Sequence, residues 1–316
     1  MSTNQQPQQE VQDNARFVQE LQSDDPHKEV IGRWFLKPVG KRPALRRYLF
    51  DLWNRRHFIW ADSRARAFST GRGMILGNVW LVLQPLLNGA IYFLIFGVLL
   101  GTSRGIDRFV GYLIIGVFLF QFTGRSLTSG ATAITGSKAM IRGFTFPRAS
   151  LPISIILREA LNMLPVIGTM LLLIVMVPSP DAAEMSPPHA DVTWRWLLFP
   201  AVFILQTVFN VGVAFFAARI VAQIPDFRHL LQFVQRLWFY GSGVLYSFDR
   251  FVTDPQILAI LGLNPVFIVL DMSRDLLLYG VSPEARSWLI LGAWAVGTAL
   301  LGFIYFWRAE ERYGRE

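Results

Sequence analysis

The sequence predicts an all-α integral membrane protein with six transmembrane helices. The chain has 316 residues, of which 53% are hydrophobic and only 16% are charged, and its mean hydropathy is +0.38. Such a chain is too apolar for an ordinary soluble domain. A bilayer core of about 30 Å needs roughly 20 mostly apolar helical residues, and six stretches meet that requirement. They are residues 74–101, 109–134, 151–177, 195–220, 231–249 and 287–307. The alternative, one large soluble helical core, fits these lengths less well.

The basic residues lie in alternate connections, which predicts the topology. Lys and Arg are dense before the first span and recur after the second and fourth spans and in the tail, whereas residues 178–194 contain none. By the positive-inside rule, both termini and the connections after spans two and four are cytoplasmic, in a multi-pass protein of the cytoplasmic membrane. Because the net charge of +8 is distributed in this way, it indicates topology and membrane lipids rather than a nucleic-acid partner.

The part of the chain before the first span divides into two predicted segments. Residues 1–40 are expected to form a disordered polar and basic cytosolic tail, without a cleaved signal peptide. Residues 41–72 place apolar and tryptophan side chains at helical spacing opposite arginines, which favours an amphipathic helix and turn at the membrane interface. A soluble helix packed on a partner is the alternative. The transmembrane domain is predicted to cover residues 73–309, and a short cytosolic tail residues 310–316.

The second span has an unusual polar half. Its later part reads TGRSLTSGATAITG, which is rich in Ser, Thr and Gly. Small polar residues of this kind are typical of helix interfaces or cavity walls rather than of lipid-facing surfaces. Arg125 lies in this half, and an arginine inside a membrane is a candidate functional residue. The alternatives are snorkelling to the interface or an ion pair with Glu159 of the third span.

The connection between spans five and six, residues 250–286, contains two apolar pieces that are too short to cross a membrane. We expect two short re-entrant or gate helices, broken at Asn264 and Pro265. Asp271, Arg274 and Asp275 follow at i, i+3 and i+4, which favours a local ion pair. A gating contact is the alternative.

Several kinds of chemistry have no motif in the sequence. The chain contains no cysteine, its four histidines are scattered, and no zinc-protease or Ser-His-Asp pattern is present. No catalytic residue and no metal ligand is therefore predicted. The GxxxxGK[ST] loop that binds ATP phosphates is also missing, so the chain binds no cofactor of its own and is not expected to be an enzyme. A transporter of this composition would take its energy from a partner.

The connection after the second span, GSKAMIRGFTFPRASLP, resembles that of the permease subunits of ABC-2 type exporters. Within them it is most similar to the branch that exports lipid-linked polysaccharides such as O-antigen, teichoic acid and cell-wall galactan. The stretches LGNVWLVLQPLL, GVFLFQF, GSGVLYSF and LNPVFIVLDMSRDLLL agree in the same order. The resemblance extends from about residue 45 to the end of the chain. It departs at RIVAQIPDFRHLL, where the family usually has an Arg-Asp pair.

The resemblance implies a transport subunit with defined partners. Residues 137–149 would form a coupling helix on a separate ATP-binding-cassette subunit, which binds ATP and Mg²⁺. Two copies of the chain would assemble with two such subunits around a pathway for a polyprenyl-pyrophosphate-linked polysaccharide, with galactan as the favoured substrate. The implied coupling residues are Lys138, Arg142, Phe144, Phe146, Pro147, Arg148, Asp226 and Arg228.

The remaining candidate residues belong to the expected substrate path. Arginines at the cytoplasmic entrance would attract the pyrophosphate, aromatic rings would guide the glycan, and the broken outer segment would form a gate. The entrance candidates are Arg64, Arg66 and Arg72. The channel candidates are Tyr92, Phe96, Phe118, Phe122, Trp238, Tyr240 and Tyr246. The gate candidates are Asn264, Pro265, Asp271, Arg274 and Asp275.

Three other functions remain open at this point. An ABC-2 exporter of drugs or lipids would share the same architecture. A membrane enzyme acting on polyprenyl-linked sugars would need acidic or histidine residues near a membrane surface, where only scattered aspartates are available. A scaffold without a transport role fits less well with the broken outer segment and the polar half of span two.

Overall fold

The computed structural model describes residues 44–69, 77–99, 106, 108–144, 146–176, 192–248 and 254–313. Within these ranges every regular element is a helix, and all of them belong to one compact unit that spans residues 42–316. The predicted tail at residues 1–40 lies outside the described residues, as does Arg72.

The predicted amphipathic segment forms two helices, α1 (Leu45–Asn54) and α2 (Arg56–Ser69), which are separated at Arg55. Tyr48 is the buried residue of α1, while the large side chains of Phe50 and Trp53 are exposed. On α2 the buried Ser63 hydroxyl donates a hydrogen bond to the carbonyl oxygen of Ser154. The two helices therefore have one side on the helical bundle and an apolar side open to their surroundings, as an interface segment requires.

Four helices are long and apolar enough to cross a membrane. They are α4 (Phe109–Ala131), α6 (Ser150–Met176), α7 (Phe199–Gln223) with the 3₁₀ turn Trp194–Leu198 before it, and α11 (Ala285–Trp307). Helix α4 is the centre of the core, since residues 111–120 are all buried. The structure thereby confirms the second, third, fourth and sixth predicted spans by length and composition.

The first and fifth predicted spans have less regular structures. The first contains α3 (Trp80–Tyr92), with a 3₁₀ turn at Gly77–Val79 before it and a π-helical stretch at Phe93–Leu99 after it. The fifth, predicted at residues 231–249, is the 14-residue helix α8 (Phe227–Tyr240). Gly241 caps its end, and Gly243 adopts a positive φ of 60° in the turn that follows. A crossing by these two segments stays a prediction.

Two short helices occupy the predicted gate segment. Helix α9 (Pro255–Leu261) is followed by α10 (Pro265–Arg274), which continues into a π-helical turn at Asp275–Tyr279. The break falls at the predicted position because Asn264 caps α10 by accepting a hydrogen bond from the Val266 N–H, and Pro265 takes the first helical position. That these helices enter the membrane from outside stays a prediction.

The connection between α4 and α6 contains a 3₁₀ turn (Thr135–Ser137) and the six-residue helix α5 (Lys138–Gly143). Phe144 is extended, and the chain then turns into α6. Helices α7 and α11 cross at short distance. A Cβ placed on Gly212 would lie 2.4 Å from the Thr298 carbonyl carbon, and one on Gly302 would lie 2.5 Å from the Gly212 oxygen. The two glycines therefore allow backbone contact between these helices.

Candidate functional site

The α4–α6 connection presents three of its predicted coupling residues outward. Lys138, Arg142 and Phe144 are exposed, and the Phe144 side chain keeps 72% of its surface accessible. An exposed phenylalanine between cationic residues, at the end of a helix of one and a half turns, is costly to leave in water and suits insertion into an apolar pocket.

The other three coupling candidates in this connection are directed inward. Phe146 packs against the cluster around Tyr48 and lies beneath the guanidinium of Arg55, 5.8 Å from its ring centroid. Pro147 is buried. The Arg148 guanidinium donates a hydrogen bond to the backbone oxygen of Glu310. In this structure the three side chains are buried or bonded within the chain, so they fix the connection to the helical bundle.

A buried polar cluster connects this point to both ends of the described chain. The Tyr48 hydroxyl donates to the Glu310 Oε2 at 2.9 Å and accepts from the Ala149 N–H at 2.9 Å. The Glu310 Oε1 accepts a further hydrogen bond from the Arg148 N–H at 3.0 Å. Helix α1, the start of α6 and the segment after α11 thus meet around one carboxylate. We name Tyr48, Arg148 and Glu310 the tail cluster.

Burial sets the ionisation of the tail cluster. It raises the pKa of Glu310 above its ordinary value, although the hydrogen bonds from Arg148 and Tyr48 oppose that shift. Burial, followed by the nearby Glu310 carboxylate, raises the pKa of Tyr48. The phenol therefore stays protonated and keeps its role as a donor. Sequence reasoning missed Tyr48 and Glu310, because neither belongs to a motif and they are 262 positions apart in the chain.

Asp226 and Arg228, proposed to replace the family's Arg-Asp pair, lie at the start of α8. Both side chains are exposed, and the Arg228 Nε is 3.4 Å from the His229 Nε2. Neither residue forms an ion pair within the described part of the chain. Both side chains are therefore available to a partner.

The two described entrance arginines lie on α2. Arg64 is exposed, and Arg66 pairs with Asp62 one turn earlier at 2.7 Å. Because this pair is exposed and lies within one helix, it contributes little to stability and does not prevent an anion from binding. The third candidate, Arg72, lies outside the described residues.

Two of the aromatic channel candidates belong to the core of the chain itself. Phe118 is 1% exposed and Phe122 is 2% exposed, and the Phe122 ring stacks at 5.1 Å on Phe203 of α7. The expectation that they line a glycan path is corrected here, since helical spacing alone could not say which face of a wholly apolar helix meets its neighbours. The Phe96 side chain lies outside the described residues.

The other aromatic candidates gather where α3 meets α8. Tyr92 lies 5.3 Å from Phe239, which in turn lies 5.4 Å from the exposed ring of Tyr240. Trp238 donates its indole N–H to the Asn264 Oδ1, and the Tyr246 hydroxyl donates to the Tyr240 backbone oxygen. Tyr240 is exposed, and Tyr92, Trp238 and Tyr246 are half-buried, so each of the four keeps some surface that a ligand could contact.

Both ends of α10 hold the turn that follows α8. At the first end, the Asn264 Nδ2 donates to the Gly241 oxygen and to the Ser242 Oγ, both at 3.0 Å. At the other end, the Arg274 guanidinium donates to the oxygens of Gly243 (3.1 Å) and Val244 (3.3 Å). The turn after α8 therefore cannot move without breaking contacts with α10.

Arg274 differs from its sequence-based interpretation. Its side chain is 2% exposed and lies over the Tyr112 ring at 3.3 Å from the centroid. The local ion pair with Asp271 or Asp275 is not formed, because the guanidinium points into the bundle while Asp271 is exposed and Asp275 is half-buried. Pro265 is also buried. The hydroxyl of Tyr112 donates to the Gly243 and Tyr246 oxygens, so Arg274 and Tyr112 bind the turn together.

The polar half of α4 has two distinct faces. One is buried against α7, where Gln206 donates to the Thr123 Oγ1 at 3.0 Å and Asn210 to the Ser126 Oγ at 3.3 Å. This face is a helix interface, as the sequence predicted. The other face carries Arg125. The suggested Arg125–Glu159 ion pair is not formed; the Glu159 Oε1 instead accepts from Arg158 at 2.9 Å and from the Ser129 hydroxyl at 3.1 Å.

Comparison with curated proteins gives relatives of one kind. The chain is similar to the O-antigen export system permease protein RfbA of Myxococcus xanthus, with 26% identity over 71% of this chain and 82% of that protein. Two proteins of the same name from Klebsiella pneumoniae are 27% and 25% identical, each over 66% of this chain and over 75% and 76% of their own length. No protein-family model matches the chain.

These findings support the sequence resemblance at the level of O-antigen export permeases. They agree with a transport component that has membrane-spanning helices rather than with an enzyme. They contain no sign of the teichoic-acid or galactan branches. Among the described residues, no group of three His, Asp or Glu side chains could hold a metal ion. The chain is thus similar to O-antigen export permeases. Its candidate functional surfaces are the exposed side of helix α5 and the polar face of α4 that carries Arg125.

Proposed function

We propose that this chain is the permease subunit of an ABC exporter that moves a polyprenyl-pyrophosphate-linked polysaccharide across the cytoplasmic membrane. The names of its relatives favour an O-antigen type of glycan. Galactan, which was the substrate favoured from the sequence, and teichoic acid are less favoured. In this proposal the chain has both termini in the cytoplasm, and two copies assemble with two ATP-binding-cassette subunits, which bind ATP and Mg²⁺.

The observation that carries the proposal is the exposed Phe144 at the end of α5. Lys138 and Arg142 are exposed on the same short helix, so the connection offers one apolar anchor with positive charge beside it. A groove with an apolar floor and acidic walls on the ATPase would match this surface. Burying such a side chain at an interface contributes about 2 kcal/mol or more, which is enough for a specific contact.

The tail cluster gives this contact a route into the membrane domain. A displacement of α5 would be transmitted to Arg148, which is hydrogen-bonded to Glu310. Glu310 is in turn hydrogen-bonded to Tyr48 of α1. In the proposed mechanism, ATP binding on the partner moves α5, and the tail cluster moves α1 and α2 with it. The arginines of α2, together with Arg72, receive the anionic head of the substrate there. Beyond these arginines along the path, the rings of Tyr92 and Tyr240 contact the glycan.

The first experiment replaces Phe144 by alanine in the host. We expect export to fall at least tenfold, because the anchor of the ATPase contact is lost, while the permease itself remains folded because Phe144 packs on little within the chain. Phe50→Ala is the matched control, since Phe50 is also a highly exposed phenylalanine but lies on α1. The readouts are glycan at the cell surface, lipid-linked glycan retained inside, and co-purification of the ATPase.

The rival functions give different results when the protein is depleted. Accumulation of a long lipid-linked glycan on the cytoplasmic side supports the proposal and identifies the substrate. An unchanged glycan pool favours the drug or lipid exporter, and a glycan that stops at a truncated sugar chain favours the membrane enzyme. If Phe144→Ala exports as well as the unmodified protein, α5 is not the ATPase contact.

A further inference from the structure

Arg125 lies deep within α4. It is six residues from Ala131, the end of the helix, which corresponds to about 9 Å along the axis. Its guanidinium lies 3.4 Å from the Oε1 of Gln121, one turn closer to the middle of the helix. A snorkelling arginine would point toward the nearer end of its helix instead. The guanidinium therefore lies toward the middle of α4 rather than toward its nearer end.

The partners of Arg125 within the chain are weak. The Gln121 and Gln84 amide oxygens lie at 3.4 Å and 3.5 Å from its Nη2, at the outer limit of a hydrogen bond. No carboxylate in the described ranges forms an ion pair with it, since the nearby Glu159 is paired with Arg158. A guanidinium has five N–H donors, and most of these are left for another group.

The face around Arg125 is open rather than packed. Gln121, Arg125 and Thr128 repeat at intervals of four and three residues, so they share one side of α4, and Thr132 follows four residues later as its C-cap. All four are partly or fully exposed within the chain, although the helix is otherwise largely buried, and Gln84 is exposed beside them on α3. A polar stripe of this kind is too costly to face lipid, so it faces an aqueous path or a ligand.

We propose that Arg125, with Gln84 and Gln121 beside it, is an anion-binding site that contacts the phosphate-bearing head of the exported lipid-linked polymer inside the membrane. The inference rests on the proposed export function. The site lies deeper than the arginines of α2, and the amide groups around the cation suit a head group that is partly sugar. A phosphate can accept two hydrogen bonds from one guanidinium, which gives both affinity and orientation.

The binding test uses the full-length chain in nanodiscs of zwitterionic phosphatidylcholine, with labelled farnesyl pyrophosphate as the probe and farnesol as its uncharged counterpart. We expect Arg125→Gln to weaken pyrophosphate binding about tenfold or more, because a charge-assisted bidentate contact is lost. Arg125→Lys should stay within about threefold, since it keeps the charge. Arg286→Gln is the matched control, because Arg286 is exposed at the start of α11. Farnesol binding and thermal unfolding should be equal in all four proteins.

Three results would overturn the inference. One is equal pyrophosphate affinity in Arg125→Gln and the unmodified chain. Another is displacement of the probe when phosphatidylglycerol replaces part of the nanodisc lipid, which would assign the site to phospholipid head groups. The third is loss of chain–chain association in Arg125→Gln with unchanged probe binding, which would make Arg125 a contact with a second copy. The binding result does not depend on export, so a chain that binds the probe but moves no glycan in cells would refute the proposed function and leave the site standing.

Discussion

Replacing Gly212 by alanine tests the close crossing of α7 and α11. The added Cβ would lie 2.4 Å from the Thr298 carbonyl carbon and 2.5 Å from the Ala299 nitrogen. These are backbone atoms of α11 and cannot turn away as a side chain could. Helix α11 must therefore retreat from α7 by about 1 Å before the contact becomes an ordinary one.

The expected cost follows from two opposing effects. Overpacking of this kind lowers the free energy of unfolding by about 1–3 kcal/mol. Alanine recovers about 0.5–1 kcal/mol relative to glycine in a helix interior. We therefore expect Gly212→Ala to be less stable by about 1–2 kcal/mol. Gly297→Ala on α11 is the matched control, because a Cβ there meets nothing within 4 Å, and it should be neutral or slightly more stable.

The assay is thermal unfolding of the purified chain in one detergent, with all three proteins measured together. A lower Tm for Gly212→Ala and an unchanged or higher Tm for Gly297→Ala would support the crossing. If both variants have the same Tm, or if Gly212→Ala is the more stable one, α7 and α11 do not approach through these glycines. The reasoning on the α7–α11 interface would then be refuted.

Two further substitutions test the clusters that position the functional surfaces. Arg274→Met removes the donors to Gly243 and Val244 but keeps the volume of the side chain. It should lower the free energy of unfolding by about 2–4 kcal/mol relative to the control Arg286→Met. If denaturation curves show a gain in stability instead, the cost of burying the charge outweighs these hydrogen bonds. Glu310→Gln tests the raised pKa of Glu310. A raised pKa in the folded state gives stability that is complete below the unfolded pKa and is lost as the pH rises through the folded pKa. The unmodified chain should therefore lose stability relative to Glu310→Gln as the pH rises from the ordinary carboxyl range through the higher pKa of the folded state. Parallel stability curves for the two proteins across that range would contradict the shift.

The long spans were predictable because membrane crossing is a local property. A run of about 20 apolar residues forms a helix in lipid whatever surrounds it, since its backbone groups must bond within the segment. Hence α4, α6, α7 and α11 were found from hydropathy alone. The end of α8 was not, because it depends on the turn at Gly243, which Arg274 and Tyr112 hold from other helices.

The candidate site was predictable only in part, for a similar reason. The connection carrying Phe144 stands out as a basic and aromatic segment between two spans, and its exposed helix was found there. Phe118 and Phe122 were misassigned because a helix that is apolar on every side gives no sign of which face packs inward. The tail cluster could not be found, since Tyr48 and Glu310 meet only after the whole bundle has formed.

The sequence by itself determined the membrane class of the protein, the four long spans, the break at Asn264 and the basic, aromatic connection after the second span. Each of these follows from composition or from neighbouring residues. Only the tertiary structure decided how the charges are used: Arg274 binds carbonyl oxygens instead of Asp271, Glu159 pairs with Arg158, and Arg125 lies beside the Gln121 amide. The physical reason is that charge pairing in a low-dielectric bundle depends on distances between helices, and these are set by packing rather than by spacing along the chain.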